Sequence, residues 1–201
     1  MDKAGFKGGI PEIQGMTVTD NLPAYVERKL FTLNTGHAIT AYLGKAMGYQ
    51  TIRSSISDPT IYNYFKSAME ESGAALVKTY GFDPEAHSNY INKIINRFKN
   101  PYLDDSVDRV GREPLRKLSR NDRLIKPLMM ALEYGIDPEN LIVGAAAAFT
   151  FNNNDDPQAA ELQTRIKNNG ITNTVAEVTG LEGHPRIVDR IVEAYQKMKN
   201  R

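Results

Sequence analysis

Apolar residues recur at helical spacing from residue 22 onward, and this periodicity most limits the folds open to the chain. They lie three or four residues apart, which places their side chains on one face of an α-helix. The first set comprises Leu22, Val26, Leu30 and Leu33. Asp20 or Asn21 can cap this helix and Pro23 suits its first turn. We therefore predict a long helix that begins near residue 21 and ends near Gly44 or Gly48.

Helix-start signals recur along the rest of the chain, mostly as an aspartate followed by proline. They predict helices over 59–73, from 84, over 122–135 with Asp122 as the cap, over the very apolar 141–151, from 157, over 173–178 and over 185–199. Residues 1–20 read as an irregular leader or inter-domain segment, with a short strand over 13–19. The predicted fold is all-α, with one helical domain over 21–201.

Three polar residues interrupt the apolar pattern of the first helix. At about 100° per residue, His37 falls within the apolar stripe, while Lys29 and Asn34 flank it about 140° apart. All three therefore face the buried side, where a polar group needs a partner or a function. The simpler interpretation is a lysine stem lying along the edge of the core, with the asparagine and histidine bonded to backbone. Gly36 lowers helix stability and indicates that another backbone or a ligand comes close.

The run Asp20–Gly44 resembles the substrate-domain helix of the mannitol-1-phosphate 5-dehydrogenases, which belong to the polyol-specific long-chain dehydrogenases. The signature of that family is a lysine, an asparagine five residues later and a histidine three beyond it. The likeness continues in order through residues 68–73, 100–103, 109–119, 122–127 and 155–159. It implies the all-α, multi-helical C-terminal domain of the mannitol dehydrogenase and 6-phosphogluconate dehydrogenase type, without a Rossmann domain.

The resemblance assigns a role to each residue of the trio. Lys29 would be the general base in alcohol oxidation, favoured as a neutral amine by burial beside Val26 and Leu33. Asn34 would donate to the developing alkoxide, together with an asparagine from the cofactor domain, and His37 would orient the substrate hydroxyl. Some relatives carry a glutamate three residues before the lysine. Here that position is Val26, so a proton relay through the neighbouring Glu27 is doubtful.

A basic segment follows at residues 109–123. The simpler interpretation is a solvated face neutralised by Asp104, Asp105 and Asp108. In the polyol dehydrogenases an arginine and a lysine eight residues later reach the substrate hydroxyls, and Arg109 and Lys117 reproduce that spacing. Arg112 and Arg116 are the further candidates for a phosphate group, which suits the planar guanidinium.

Composition limits the other partners. The net charge of +1 gives no reason to expect binding to nucleic acid or an anionic membrane. The absence of cysteine excludes a thiolate metal site and fits a cytoplasmic location. The three histidines are His37, His87 and His184. They lie far apart, so we expect no metal, and we expect the last two at turns or on the surface.

The chain has no Gly-x-Gly-x-x-Gly run of the kind that binds a dinucleotide, and Gly8-Gly9 has no strand before it. By resemblance, NAD would be bound mainly by an N-terminal Rossmann domain absent from this sequence, and the chain alone would be inactive. The predicted reaction converts D-mannitol 1-phosphate and NAD to D-fructose 6-phosphate and NADH. The alternatives are a dehydrogenase for another polyol or a hexuronate, and a non-catalytic helical interaction module.

Overall fold

A computed structural model describes residues 1–102 and 105–200. These residues form twelve α-helices, one π-helical segment and a short 3-10 helix at Lys3–Gly5, with no β-sheet among them. In chain order, the helices are α1 Leu22–Arg28, the π-helical segment Lys29–Asn34, α2 Thr35–Ala46, α3 Ile52–Ser57, α4 Pro59–Tyr80, α5 Pro84–Phe98, α6 Val107–Gly111, α7 Pro114–Lys117, α8 Ile125–Glu133, α9 Glu139–Thr150, α10 Pro157–Asn169, α11 Ile171–Thr179 and α12 Pro185–Lys199. The all-α prediction is confirmed.

The helix starts follow the capping chemistry read from the sequence. Side chains of Asn21, Asp58, Asp83 and Asp156 accept backbone N–H groups at the starts of α1, α4, α5 and α10. Asp122 does not cap α8, because its carboxylate instead binds two arginines. The strand predicted over 13–19 is also wrong, since Thr19 makes only an isolated bridge to Asp2.

The core forms around α2, α4 and α9, with α12 packed along α9. The approach of α2 to its neighbours depends on glycines. A Cβ on Gly144 of α9 would lie 2.5 Å from the Ile39 side chain of α2. A Cβ on Gly36 of α2 would lie 2.4 Å from the ring of Phe65 on α4. The close neighbour of Gly36 is thus a packed aromatic side chain rather than the expected backbone or ligand, and it fixes how α2 sits in the core.

The N-terminal segment lies outside the helical core. Residues 1–20 contain the short 3-10 helix and otherwise irregular backbone. Two N–H···O bonds between backbone atoms, from Lys3 to Thr19 and from Thr19 to Met1, close this segment on itself. Among the helices described, none is both long enough and apolar enough to cross a membrane.

Candidate active site

The polar trio lies on a helix whose geometry changes along its length. The backbone is α-helical to Arg28, widens into a π-helix over Lys29–Asn34, and returns to an α-helix at Thr35. In a π-helix the repeating hydrogen bond joins residues i and i+5, so residues five apart lie about one turn apart on one face. Lys29 and Asn34 are five apart. The predicted separation of about 140° is therefore wrong, because it assumed a regular α-helix.

The hydroxyl of Ser72 on α4 and that of Thr35, the first residue of α2, support the widened turn. The hydroxyl of Ser72 on α4 donates to the carbonyl oxygen of Phe31 at 2.6 Å in a buried position. The Thr35 Oγ1 atom lies 3.1 Å from the carbonyl oxygen of Leu30 and 2.7 Å from that of Arg123. The backbone N–H of Thr35 also donates to the Leu30 carbonyl, which is the i to i+5 bond. Pairing of buried carbonyls in this way stabilises a wider turn.

Two adjoining clefts open beside this segment and share Asn34 and His37. The first, here called the lysine cleft, has a volume of about 240 Å³. It is lined by Lys29, Leu33, Asn34, His37, Ile52, Arg97, Phe98 and Asp105. The second, here called the arginine cleft, has a volume of about 200 Å³. It is lined by Asn34, His37, Ala38, Arg109, Val110, Arg112, Glu113, Arg116, Lys117 and Arg123. The structure thus brings all seven site residues named from the sequence to one place.

Lys29 is exposed, which contradicts the burial expected for it. Val26, one of the residues that was expected to bury it, has 57 % of its surface exposed. Within the described residues the ammonium of Lys29 therefore faces solvent at the rim of the lysine cleft. Glu27 points elsewhere, since its carboxylate accepts a hydrogen bond from the Tyr80 hydroxyl. A relay from Lys29 through Glu27 has no support in this arrangement.

His37 is partly enclosed between an aromatic ring and a carboxylate. Its ring centroid lies 4.9 Å from that of Phe98, and its Nε2 atom lies 3.2 Å from Oδ2 of Asp105. The ring N–H is not aligned with that oxygen as in a regular hydrogen bond. Burial lowers the pKa of His37 to about 4, against the opposing effect of the Asp105 carboxylate. The imidazole is therefore neutral at pH 7, with one nitrogen as donor and the other as acceptor.

The wall of the arginine cleft is a turn at residues 110–113, held by buried side chains. Lys117 Nζ donates to the carbonyl oxygens of Val110, at 2.6 Å, and Arg112. The Tyr42 hydroxyl donates to the carbonyl between them, that of Gly111, at 2.9 Å. Three successive carbonyls are thus fixed. Lys117 uses two of its three N–H donors for this, so the third can bind a ligand.

Glu113, the last residue of this turn, adopts a left-handed backbone conformation with φ 60°. Only glycine adopts this conformation readily, so it is a strained position for glutamate. Its backbone N–H donates to Oδ2 of the buried Asp156 at 2.8 Å, which helps to hold it there. The strained backbone and the anchoring bond together fix the path of the chain from this turn into α7, which carries Arg116.

Burial lowers the pKa of Lys117 to about 8, with further lowering by Arg123 and Arg116. Only 5 % of the Lys117 surface is exposed. A cation held at such a site is costly unless its protons are bonded, which explains the two short contacts with carbonyls. We conclude that Lys117 shapes the cleft as well as lining it.

The arginines of this cleft differ in how far their charge is already neutralised. Arg116 is bridged by two carboxylates, Glu113 at 2.7 Å and Asp122 at 3.1 Å. Arg109 pairs with Asp105 and Arg123 pairs with Asp122. Arg112 donates its Nε–H to the carbonyl of Arg109 and forms no ion pair with any carboxylate among the described residues. Among the arginines of this cleft, and within the described residues, Arg112 has the charge most available to a ligand. The acidic neighbour Asp104 lies outside the described residues.

Some residues near the site were missed from sequence or misplaced. Arg97, Asp105 and Arg123 line the clefts, but no sequence motif marks Arg97, and the other two stand in the sequence only as members of a charged stretch. His87, expected at a turn or on the surface, is 2 % exposed and accepts a hydrogen bond from Arg28 Nε at Nδ1. Burial lowers its pKa to about 4. Its ring packs against Gly73, a contact that sequence periodicity could not show.

The described residues do not supply a dinucleotide site. They contain no parallel sheet and no glycine-rich turn between a strand and a helix, the elements that commonly hold NAD. Across residues 1–102 and 105–200, no three or more His, Cys, Asp or Glu side chains converge as metal ligands.

The chain matches the family described as the mannitol dehydrogenase C-terminal domain over residues 21–199. It belongs to that family. Its fold resembles mannitol 2-dehydrogenase from Pseudomonas fluorescens, solved as a ternary complex with NAD and D-mannitol, with a TM-score of 0.76 and 20 % sequence identity. It also resembles a D-sorbitol dehydrogenase solved in substrate-free form, with a TM-score of 0.74 and 14 % identity. Each alignment covers 92 % of this chain and 40 % of the other.

This family member therefore spans less than half the length of those dehydrogenases. At such identities the two structures establish the fold alone. The family match does not favour the alternative of a non-catalytic interaction module.

Proposed function

We propose that this chain is the substrate-binding and catalytic domain of an NAD-dependent mannitol-1-phosphate 5-dehydrogenase. The observation that carries the proposal is the pair of adjoining clefts around Asn34 and His37. One cleft offers a lysine next to an amide and an imidazole, which suits proton transfer from an alcohol. The other offers several cations, which suit a phosphate. A hexitol phosphate presents these two groups, a secondary carbinol and a phosphate, at well-separated positions on one carbon chain.

Proton transfer would take place in the lysine cleft. Lys29, as a neutral amine, takes the proton of the substrate hydroxyl while hydride leaves the carbon that bears this hydroxyl. In the reverse reaction Lys29 returns the proton. Asn34 donates its amide N–H to the oxygen as negative charge develops there. Both groups reach one hydroxyl because the π-helical turn puts them on one face. A second domain covering the exposed Lys29 would supply the desolvation that favours the neutral amine.

The phosphate would occupy the arginine cleft. The cations there are Arg109, Arg112, Arg116, Lys117 and Arg123. In the described residues they outnumber the neighbouring carboxylates of Asp105, Glu113, Asp122 and Asp156. Arg112, free of any carboxylate within that set, would bind the phosphate most directly, with Arg109 beside it. Arg116 and Lys117 would contribute mainly through the shape and charge of the wall.

NAD, whose nicotinamide ring would accept the hydride, has to be held by another domain, because the described residues do not fit it. We place that domain N-terminal to this one, in keeping with the family's description as a C-terminal domain. The 201-residue chain alone is then expected to be inactive, and turnover requires the two domains together.

The deciding experiment measures NADH consumption with fructose 6-phosphate by the complete two-domain enzyme and its Lys29→Ala variant. Loss of a general base costs about 100- to 10,000-fold in rate, so the variant should be nearly inactive. Lys45→Ala is the matched control, because Lys45 lies on the same continuous helix but pairs with Asp108 outside both clefts. A Lys29→Ala enzyme as active as Lys45→Ala would refute the role of Lys29.

The choice of substrate is tested by competition. Fructose 6-phosphate, free fructose and a hexuronate are offered to the same enzyme, and kcat/KM is compared. The proposal predicts the highest value for the phosphorylated sugar, because the arginine cleft carries excess positive charge. A preference for free fructose or the hexuronate would show that the cations serve another purpose.

A further inference from the structure

The carboxylate of Asp105 contacts two residues of the candidate site, His37 and Arg109. Its Oδ2 atom lies 3.2 Å from Nε2 of His37, and its Oδ1 atom binds the guanidinium of Arg109. His37 belongs to both clefts and Arg109 to the arginine cleft, while Asp105 itself lines the lysine cleft. One side chain thus links the proton-handling residues to the cation cluster.

The backbone of Asp105 is fixed independently of this carboxylate. Its carbonyl oxygen accepts the N–H of Ile52 at 2.8 Å. Two residues later, Val107 N–H donates to the carbonyl of Gln50 at 3.0 Å, and Ser106 forms a bridge with Thr51. The side chain therefore projects from an anchored segment, and its substitution leaves these backbone bonds in place.

The contact determines which nitrogen of His37 carries the proton. A lone pair on the buried Nε2, 3.2 Å from the carboxylate oxygen of Asp105, would face negative charge, so the neutral ring carries its hydrogen on Nε2 even without an aligned hydrogen bond. Nδ1 then keeps a lone pair and can only accept. The side chain of His37 remains 26 % exposed, which leaves the other edge of the ring available to the cleft.

This assignment decides what His37 can do for a polyol. The proton of the reacting hydroxyl goes to Lys29, so it is not available to Nδ1. A ring that only accepts must therefore bind the proton of a different hydroxyl, on a carbon next to the one that is oxidised. The charged groups that face His37 are Asp105, Arg109, Arg97 and Lys117, with Lys29 at the rim of the same cleft.

We propose that Asp105 is a positioning residue of this site, which holds His37 as an acceptor for a neighbouring substrate hydroxyl and holds Arg109 toward the arginine cleft. The tautomer assignment does not depend on the substrate. The kinetic part of the inference depends on the proposed function.

The first test determines which ring nitrogen of His37 carries the hydrogen, by nitrogen-15 NMR of the 201-residue chain at pH 7, where His37 is neutral. With three histidines in the chain, a His37→Gln spectrum assigns the signal. We expect Nε2–H in the wild type and a mixture of tautomers in Asp105→Asn, whose amide can donate or accept. Asp108→Asn is the matched control, because Asp108 pairs with Lys45. An Asp105→Asn ring identical to the wild type overturns the proposal.

The second test measures kcat and KM in the two-domain enzyme. A displacement of about 1 Å at a reacting group can cost roughly 100-fold, so Asp105→Asn should lower kcat/KM by about that factor. Asp105→Glu should regain part of it and Asp108→Asn should keep the wild-type value. Equal losses of kcat/KM in Asp105→Asn and Asp108→Asn would indicate a general structural effect and would overturn the positioning role of Asp105. If the wild type oxidises no polyol, the proposed function fails, and the NMR result still decides the role of Asp105.

Discussion

The π-helical segment Lys29–Asn34 and the basic region 109–123 contribute to the same site in different ways. In the first, a change in backbone geometry brings two side chains to one face. In the second, the backbone is clamped, and the carboxylate partners of each arginine decide which charge remains available. The first region should act on the transition state and thus on kcat. The second should act on substrate binding and thus on KM.

After Lys29→Ala, the largest effect should come from Asn34→Ala in the two-domain enzyme. Removal of one donor to a developing oxyanion costs about 100- to 1,000-fold in kcat, and we expect KM to change little. Asn173→Ala on the exposed face of α11 serves as the control, since the one hydrogen bond of its amide within the described residues goes to the Asn169 carbonyl. A rise in KM at constant kcat would place Asn34 with the binding residues and remove the contrast between the two regions.

The next effect separates two arginines that look equivalent in the sequence. Arg112→Ala should raise KM for fructose 6-phosphate about 10- to 100-fold, the value of one hydrogen bond to a charged group. KM for free fructose should stay nearly constant. Arg116→Ala should raise the same KM less, because Glu113 and Asp122 already bind that guanidinium. Equal effects of the two substitutions would mean that ion pairing does not control which arginine binds the phosphate.

Much of this arrangement follows from the sequence, and the rest depends on contacts between distant residues. Helix starts were predictable because a cap and a proline act locally, as at Asp83 and Asp58. The π-helical turn was not, because its support comes from Ser72, which lies 41 residues from Phe31. A shared cleft for the basic residues was indicated by the resemblance to the polyol dehydrogenases, since the residues alone favour a solvated basic face. The pairing of Arg116 with Asp122 depends on the path of the chain between them.

A third prediction concerns the pH dependence of stability through Lys117. Its pKa is about 8 in the folded chain and 10.5 as a free side chain. Between these values the unfolded chain binds more protons, so the free energy of unfolding rises with pH. Below pH 8 the buried charge of Lys117 lowers the free energy of unfolding by its full amount. As the pH rises from 8 to 10.5, up to about 3 kcal/mol of that loss is recovered.

Urea unfolding of the 201-residue chain and its Lys117→Met variant can measure this effect. The variant loses two bonds to carbonyls, which adds a destabilisation that does not depend on pH. The wild type should gain stability relative to the variant as pH rises from about 8 to about 10. Parallel curves would show that Lys117 keeps its charge at no cost, and that the wall of the arginine cleft solvates it fully.

The smallest effect tests whether the π-helical turn needs its support from α4. Ser72→Ala removes the hydrogen bond to the Phe31 carbonyl, and we expect a loss of about 1 kcal/mol in the free energy of unfolding. Thr79→Ala on the same helix is the control, since its hydroxyl donates only within α4, to Ala75 at 2.9 Å. If the turn places Lys29 against Asn34, Ser72→Ala should also lower kcat, whereas Thr79→Ala should not. A stability loss with an unchanged kcat would mean that the turn keeps its geometry without Ser72, because the i to i+5 backbone bond at Thr35 is then sufficient to hold it.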